Sequence, residues 1–197
     1  MRIPVVDNGG QWTHREWRVL RDLGIDSEIV PNTLGLEEMH ADGVVLSGGA
    51  LSLEGTDTPL GRVAEWIDRA NVPILGICVG HQFLARHFGG RVARGAPEFG
   101  RIDVIVERPD HPLFAQIPSP FHAWASHNDQ VTEVPEGWAT LAHSPGCKVE
   151  AMAHPSRPIW GVQFHPEVEH TEHGVEFFRR FVTLCRSNRA AISTPTE

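Results

Sequence analysis

Pro73-Ile74-Leu75-Gly76-Ile77-Cys78-Val79-Gly80-His81-Gln82 joins a short apolar run to a segment of helical character through one cysteine set between two glycines. A run this short and this apolar, opened by proline, reads as a buried strand. The spacing Gly76-x-Cys78-x-Gly80 is that of a nucleophile elbow, a sharp strand-to-helix turn on which a reactive side chain crowds its neighbours. Glycine on both sides relieves the crowding. At the head of the following helix, unpaired N–H groups and the positive end of the helix dipole favour negative charge on the sulfur, and the thiolate is the attacking form. The same residues also fit a small buried hydrophobe, the usual state of a free cysteine. A base and a group to orient it must be found elsewhere in the chain before Cys78 counts as a nucleophile.

Outward from this stretch the pattern repeats. Ile3 to Asp7 is a short apolar run closed by Asn8-Gly9-Gly10, and Gly43 to Ser47 is another closed by Gly48-Gly49. Asp26 to Val30 offers a further strand. Between them, Gln11 to Leu23 carries apolar residues at near-helical period with Gly24 where a helix ends, and Leu60, Val63, Ala64 and Ile67 form a helical stripe within 60–70. Apolar strands alternating with amphipathic helices predict a mostly parallel central sheet flanked by helices. In such folds ligands bind beyond the carboxyl ends of the strands, which puts Asn8-Gly9-Gly10, Ser47-Gly48-Gly49 and Cys78 on one rim. After Gly89-Gly90 the chain changes to short segments at 102–106, 121–125, 139–142, 149–153 and 159–163, a smaller, strand-rich and partly antiparallel portion. Glu172 to Arg186 predicts a last helix. The fold class is therefore α/β, with residues 1–187 as one domain and 188–197 as a polar tail.

Composition narrows the class of function. A chain of 197 residues supports one domain, and 41% hydrophobic with 21% charged residues is ordinary for a globular protein. No apolar run approaches the roughly 20 residues of a membrane span, and Met1-Arg2-Ile3-Pro4 runs straight into the first strand without a signal-peptide pattern. A cytoplasmic location is expected. Cys78, Cys147 and Cys185 are too few and too scattered for a disulfide framework or a CxxC metal site. With 17 basic against 25 acidic residues and no basic run, there is no electrostatic footprint for nucleic acid.

The base for Cys78 is offered by Gly161-Val162-Gln163-Phe164-His165-Pro166-Glu167, at the end of the last expected strand. His165 and Glu167 are two apart and project to one side of extended backbone, and a carboxylate beside an imidazole fixes its tautomer and stabilises its charged form. Taken alone, His165 could equally sit in a surface turn. His165, His170 and His173 could be read as a metal cluster, but His165 already has a partner in Glu167, so no metal is expected.

Gly76-Ile77-Cys78-Val79-Gly80-His81-Gln82 together with Gln163-Phe164-His165-Pro166-Glu167 resembles the paired signature of the triad class, class I, of glutamine amidotransferases. In α/β-hydrolases, which share the elbow, the acid precedes the histidine; here it follows two residues later. Asp7-Asn8-Gly9-Gly10-Gln11, Ser126-His127-Asn128-Asp129 and Glu167-Val168-Glu169-His170-Thr171 are similar to the glutaminase branch that serves GMP synthesis, in its free-standing form. The resemblance runs from about Ile3 to Val182. It departs at Gly48-Gly49-Ala50, where the family has Gly-Gly-Pro, and at Val79 and His81.

The resemblance implies a catalytic triad of Cys78, His165 and Glu167 and an oxyanion hole from the backbone N–H groups of Gly49 and Val79. It also implies a glutamine pocket lined by Ser47 and Gln82 and closed by His127, Asn128 and Asp129. No cofactor is expected on this chain. Ser47-Gly48-Gly49-Ala50-Leu51-Ser52 resembles an ATP-pyrophosphatase loop but has leucine where that loop has aspartate, so ATP and magnesium are expected on a partner, an ATP-pyrophosphatase synthetase subunit. The alternatives are the glutaminase subunit of another pathway, such as anthranilate synthase, and a cysteine-based redox sensor on a similar fold. A sensor would need the elbow but not Gln82 or the His165/Glu167 pair. His170, Thr171 and Glu172 are expected to cap the last helix or to face a partner.

Overall fold

The computed structural model describes residues 1–54 and 60–193. In chain order its elements are β1 (Val5–Asp7), α1 (Thr13–Asp22), β2 (Ile29–Pro31), α2 (Leu36–Met39), β3 (Val44–Leu46), α3 (Val63–Trp66), β4 (Ile74–Ile77), α4 (Val79–His87), β5 (Arg91–Val106), β6 (Phe121–Glu133), β7 (Ala139–His143), β8 (Ala151–Ala153), β9 (Ile159–Val162) and α5 (Gly174–Ser193). The strands form one sheet in the order β2-β1-β3-β4-β9-β8-β7-β5-β6. From β2 to β9 neighbours run parallel, and from β9 through β8 and β7 to β5 and β6 they run antiparallel. The α/β class and the division into a parallel and a partly antiparallel portion are as the sequence predicts.

Period-2 alternation in the short strands explains why both faces are covered. Val5, Val45, Leu75 and Ile77 point to a core shared with Leu20 of α1 and with Phe177, Phe178 and Phe181 of α5. Val6, Val44, Leu46 and Ile74 point the other way, onto Val63 and Trp66 of α3 and Phe83 and Leu84 of α4. Strands buried on both sides need no polar face, hence their unbroken apolar sequences.

Three expected boundaries move. The stripe within 60–70 is only one turn of α-helix, followed by a 3-10 turn over Ile67–Arg69. The Arg157 guanidinium donates to the Ile67 and Ala70 carbonyls at 2.6 and 3.0 Å, ending the helix from outside, and the chain must extend to reach Pro73. The strands expected at 102–106 and 121–125 are the ends of a much longer hairpin, β5 with β6, interrupted by a register shift between Arg94 and Glu98. Its outer part carries charged residues on the exposed side of β5, while Val92 and Val131 anchor it to the core. Helix α5 continues past Arg186 to Ser193, into the expected polar tail. The Asn188 amide donates to the Asn71 carbonyl at 3.1 Å and Arg189 reaches Asp42 at 3.3 Å. Residues 194–197 of that tail lie outside the described residues.

Candidate active site

Cys78 occupies the turn between β4 and α4 with φ 51° and ψ −103°, a conformation that costs an L residue about 1–3 kcal/mol. Its neighbours explain how the turn closes. A Cβ on Gly76 would stand 2.6 Å from the backbone of Gly80, and one on Gly80 would stand 2.4 Å from the Leu46 carbonyl oxygen. The head of α4 therefore lies directly on β3 and β4, which only glycine permits. The Cys78 N–H donates to the Val162 carbonyl at 2.8 Å, and the Cys78 carbonyl accepts from the Gln82 N–H at 3.0 Å.

His165 comes to the sulfur from the chain leaving β9. Its backbone N–H donates to the Trp124 carbonyl at 2.9 Å, and its carbonyl accepts from the Thr171 hydroxyl at 2.6 Å. Thr171 also accepts from the Trp124 N–H at 2.9 Å, so it clamps the base to β6 and does not cap α5; Glu172 likewise accepts from the His122 N–H. The ring is held at Nδ1, 2.6 Å from Glu167 Oε1, and on its side by the Trp12 indole with centroids 4.4 Å apart. That bond leaves Nε2 to face Cys78. Burial alone would disfavour the imidazolium, but the Glu167 carboxylate and the Cys78 side chain, both hydrogen-bonded to the ring, outweigh it and hold His165 well above the usual imidazole value.

The two glycine turns predicted to share a rim interlock here. The Asn8 N–H donates to Ser47 Oγ, and the Asn8 side-chain amide donates to the Ser47 carbonyl, both at 2.9 Å. A Cβ on Gly10 would lie 2.6 Å from the Gly48 carbonyl oxygen, and one on Gly49 would lie 2.4 Å from that of Asn8. Gly48 fits over the Cys78–His165 pair, since a Cβ there would stand 3.3 Å from His165 Cε1 and 3.6 Å from Cys78 Cβ.

Two cavities meet at Cys78. The larger, about 420 Å³, is lined by Gly49, Val79, Gln82, His127, Asn128 and Asp129 along with Cys78, which brings together all but one of the residues expected at the oxyanion hole and glutamine pocket. Val79 is the first residue of α4, where N–H groups have no intrahelical acceptor. Gln82 uses its side-chain amide N–H groups on the Asp129 carbonyl at 2.6 Å and on Gln163 Oε1 at 3.1 Å, fixing that wall. Ser47 is the exception. Fully buried, with its hydroxyl donating to the Gly48 carbonyl at 2.9 Å, it stands behind the cavity and shapes the turn. The smaller cavity, about 230 Å³, lies on the His165 and Glu167 side of the sulfur and is also lined by Trp12 and Glu16.

Sequence reading missed Glu16, Trp12 and Gln163. Glu16 is 1% exposed, and burial first, with Glu167 second, pushes its carboxyl well above the usual range. Its position four residues from both Trp12 and Leu20, on the buried face of α1, was the available signal. Gln163 donates toward Cys78 Sγ at 3.6 Å, tying the sulfur to Gln82. The three histidines weighed as a metal cluster stay apart in role: His170 packs on the Trp124 ring at 5.1 Å, and His173 takes φ 59° ahead of α5.

A thiol, a carboxylate-oriented imidazole and a loop of backbone N–H groups beside a polar cavity is the equipment for nucleophilic attack on an amide. The model of the family described as glutamine amidotransferase class-I matches residues 4–185. The chain is 49% identical to a glutamine-hydrolyzing GMP synthase subunit of Thermoplasma acidophilum, covering 96% of this chain and 95% of that one. It is 47% identical to the protein of the same name from Picrophilus torridus, covering 94% of this chain and all of that one. A crystal structure of a GMP synthase subunit from T. acidophilum superposes with a TM-score of 0.92 at 47% identity over 98% of each chain. A glutamine amidotransferase from Thermotoga maritima, at 20% identity and a TM-score of 0.71 over 99% of this chain and 86% of that one, shares the fold. The chain belongs to the class-I glutamine amidotransferase family.

Proposed function

We propose that this protein is the glutaminase subunit of a two-subunit GMP synthase, hydrolysing glutamine to glutamate and supplying ammonia for ATP-dependent amination of XMP on a partner. The observation that carries the chemistry is the 2.6 Å bond between His165 Nδ1 and Glu167 Oε1, set against Cys78 at the head of α4. The acceptor rests on the relatives named as glutamine-hydrolyzing GMP synthase subunits, which this chain matches over nearly their whole length.

Cys78, as thiolate, attacks the side-chain amide carbon of glutamine. The C=O electron pair moves to oxygen, which the N–H groups of Gly49 and Val79 receive. His165 Nε2 gives its proton to the amide nitrogen, the C–N bond breaks and ammonia leaves, with a γ-glutamyl thioester on Cys78. His165 then takes a proton from water, which attacks the thioester and releases glutamate and the thiol. Glu167 keeps the imidazole in the useful tautomer throughout. Gln82 and residues 127–129 hold the amino-acid end of glutamine. The cycle needs no cofactor on this chain. ATP and magnesium belong to the ATP-pyrophosphatase synthetase subunit, and both subunits would work in the cytoplasm. Among the described residues no helix is long and apolar enough to cross a membrane.

The test mixes the purified chain with a candidate synthetase subunit, XMP, ATP and magnesium. Glutamine should support GMP formation with wild type and fail to with Cys78→Ala, while added ammonia rescues the variant. GMP formation equal with wild type and Cys78→Ala would remove the triad from the reaction. Failure of ammonia rescue in a mixture that cannot use ammonia at all would point to a different acceptor.

A further inference from the structure

Three side chains outside the triad converge near the middle of the β5–β6 hairpin, beside its register shift. Glu98 comes from β5, His127 from β6 and Glu150 from the residue before β8, and one ligating atom of each lies within 4.8 Å of the others. His127 and Glu150 are buried, with a side-chain exposure of 2% for His127 and Glu150 at 0%, and Glu98 is partly buried with its side chain 10% exposed. Glu98 Oε1 accepts from the Ser144 hydroxyl at 3.0 Å. Glu98 Oε2, both ring nitrogens of His127 and both oxygens of Glu150 have no well-formed hydrogen bond, although His127 Nε2 is 3.2 Å from Glu98 Oε2. One atom from each of the three side chains meets the other two in one place.

A buried carboxylate costs several kcal/mol unless its charge is matched, and two together repel. A divalent cation would cancel both charges while a neutral His127 supplies a third donor. One imidazole nitrogen with two carboxylate oxygens is a donor set for a borderline cation. Magnesium keeps most of its waters and calcium takes six to eight oxygens, which this site does not offer. A cavity of about 190 Å³ lies next to the cluster, lined by Ser144, which donates to Glu98, and by Gly146, Cys147 and Lys148.

We propose that Glu98, His127 and Glu150 form a binding site for one divalent transition-metal ion of the zinc class, distinct from the triad. The ion ties β5, β6 and the start of β8 together directly behind the residues at 127–129 that line the larger cavity.

The full chain carrying Cys78→Ala, which keeps metal off the catalytic thiol, is stripped with chelator and titrated with zinc chloride by calorimetry. One ion should bind per chain, and Glu150→Gln should weaken it by about 100-fold or more, the upper end of what even outer-shell changes cost. Absence of saturable one-site binding overturns the proposal. So does binding that Glu150→Gln leaves unchanged, which would assign the ion to surface histidines. Should Glu150→Gln not fold, Glu98→Gln takes its place. A cobalt(II) titration needs neither variant: visible ligand-field bands without intense thiolate charge transfer are expected, and a spectrum unchanged from aqueous cobalt overturns the site.

Discussion

Glu167 determines which proton state His165 holds. Burial pushes the imidazole pKa down, and the Glu167 carboxylate with Cys78 pushes it up and wins. In Glu167→Gln the carboxylate charge is gone, so the pKa falls and the imidazolium that protonates departing ammonia is lost at lower pH. The alkaline limb of kcat/KM for glutamine hydrolysis should therefore move to lower pH, with kcat down by about 10²–10⁴-fold. A pH–rate profile of the variant checks this, and an unmoved limb would mean that Glu167 holds the ring by geometry alone. The residues whose role follows from spacing, Cys78 between its glycines and His165 two before Glu167, were legible in the chain. Glu98 and Glu150 were not, because an acidic residue in an otherwise ordinary segment carries no mark of burial until the fold surrounds it; for Glu16 the one mark was its place on the apolar face of α1.

At the scale of elements, the oxyanion turn depends on backbone meeting backbone. Gly49→Ala would drive a methyl to 2.4 Å from the Asn8 carbonyl, so one of the two interlocked turns must move. The expected loss in kcat is about 10²–10³-fold, the effect of losing one oxyanion donor, with KM for glutamine much less changed. Ammonia-release kinetics measure both. A variant with normal kcat would show that the donor lies elsewhere. Ser47 belongs to this same construction: it stands on the expected rim, with its hydroxyl bonded to the interlocked turns and not lining the cavity. The parallel half was readable because burial on both faces leaves continuous apolar runs. The outer hairpin was not, since Arg91 and Arg94 flank Val92 and no continuous apolar run marks this end of β5. Helix α5 outran its apolar stripe because Asn188 and Arg189 find partners on the loops they cross.

For the whole molecule, buried titratable groups set opposing limits on stability. His81 is pushed down to about 3 by burial, so its neutral form is favoured in the fold. The stability it contributes is present above an unfolded value near 6.5 and is lost as pH falls toward 3. Glu150, raised to about 8, contributes stability that is full below its unfolded value near 4.5 and is lost as pH rises to 8. With chelator present, the melting temperature should be highest where the two windows overlap and the opposing slopes cancel, from about 4.5 to 6.5. Glu150→Gln should flatten the alkaline side by up to one proton's slope, about 1.4 kcal/mol per pH unit; an identical slope in the variant would show that Glu150 ionises freely in the fold. Melting also reports on the elbow. Alanine ordinarily outlasts glycine in a folded chain by about 0.5–1 kcal/mol, yet at position 78 the backbone sits at φ 51°, where a methyl is penalised and a hydrogen is not. Cys78→Gly should therefore melt higher than Cys78→Ala, an inversion of the usual ranking that makes the nucleophile's foothold measurable as heat resistance in two inactive proteins.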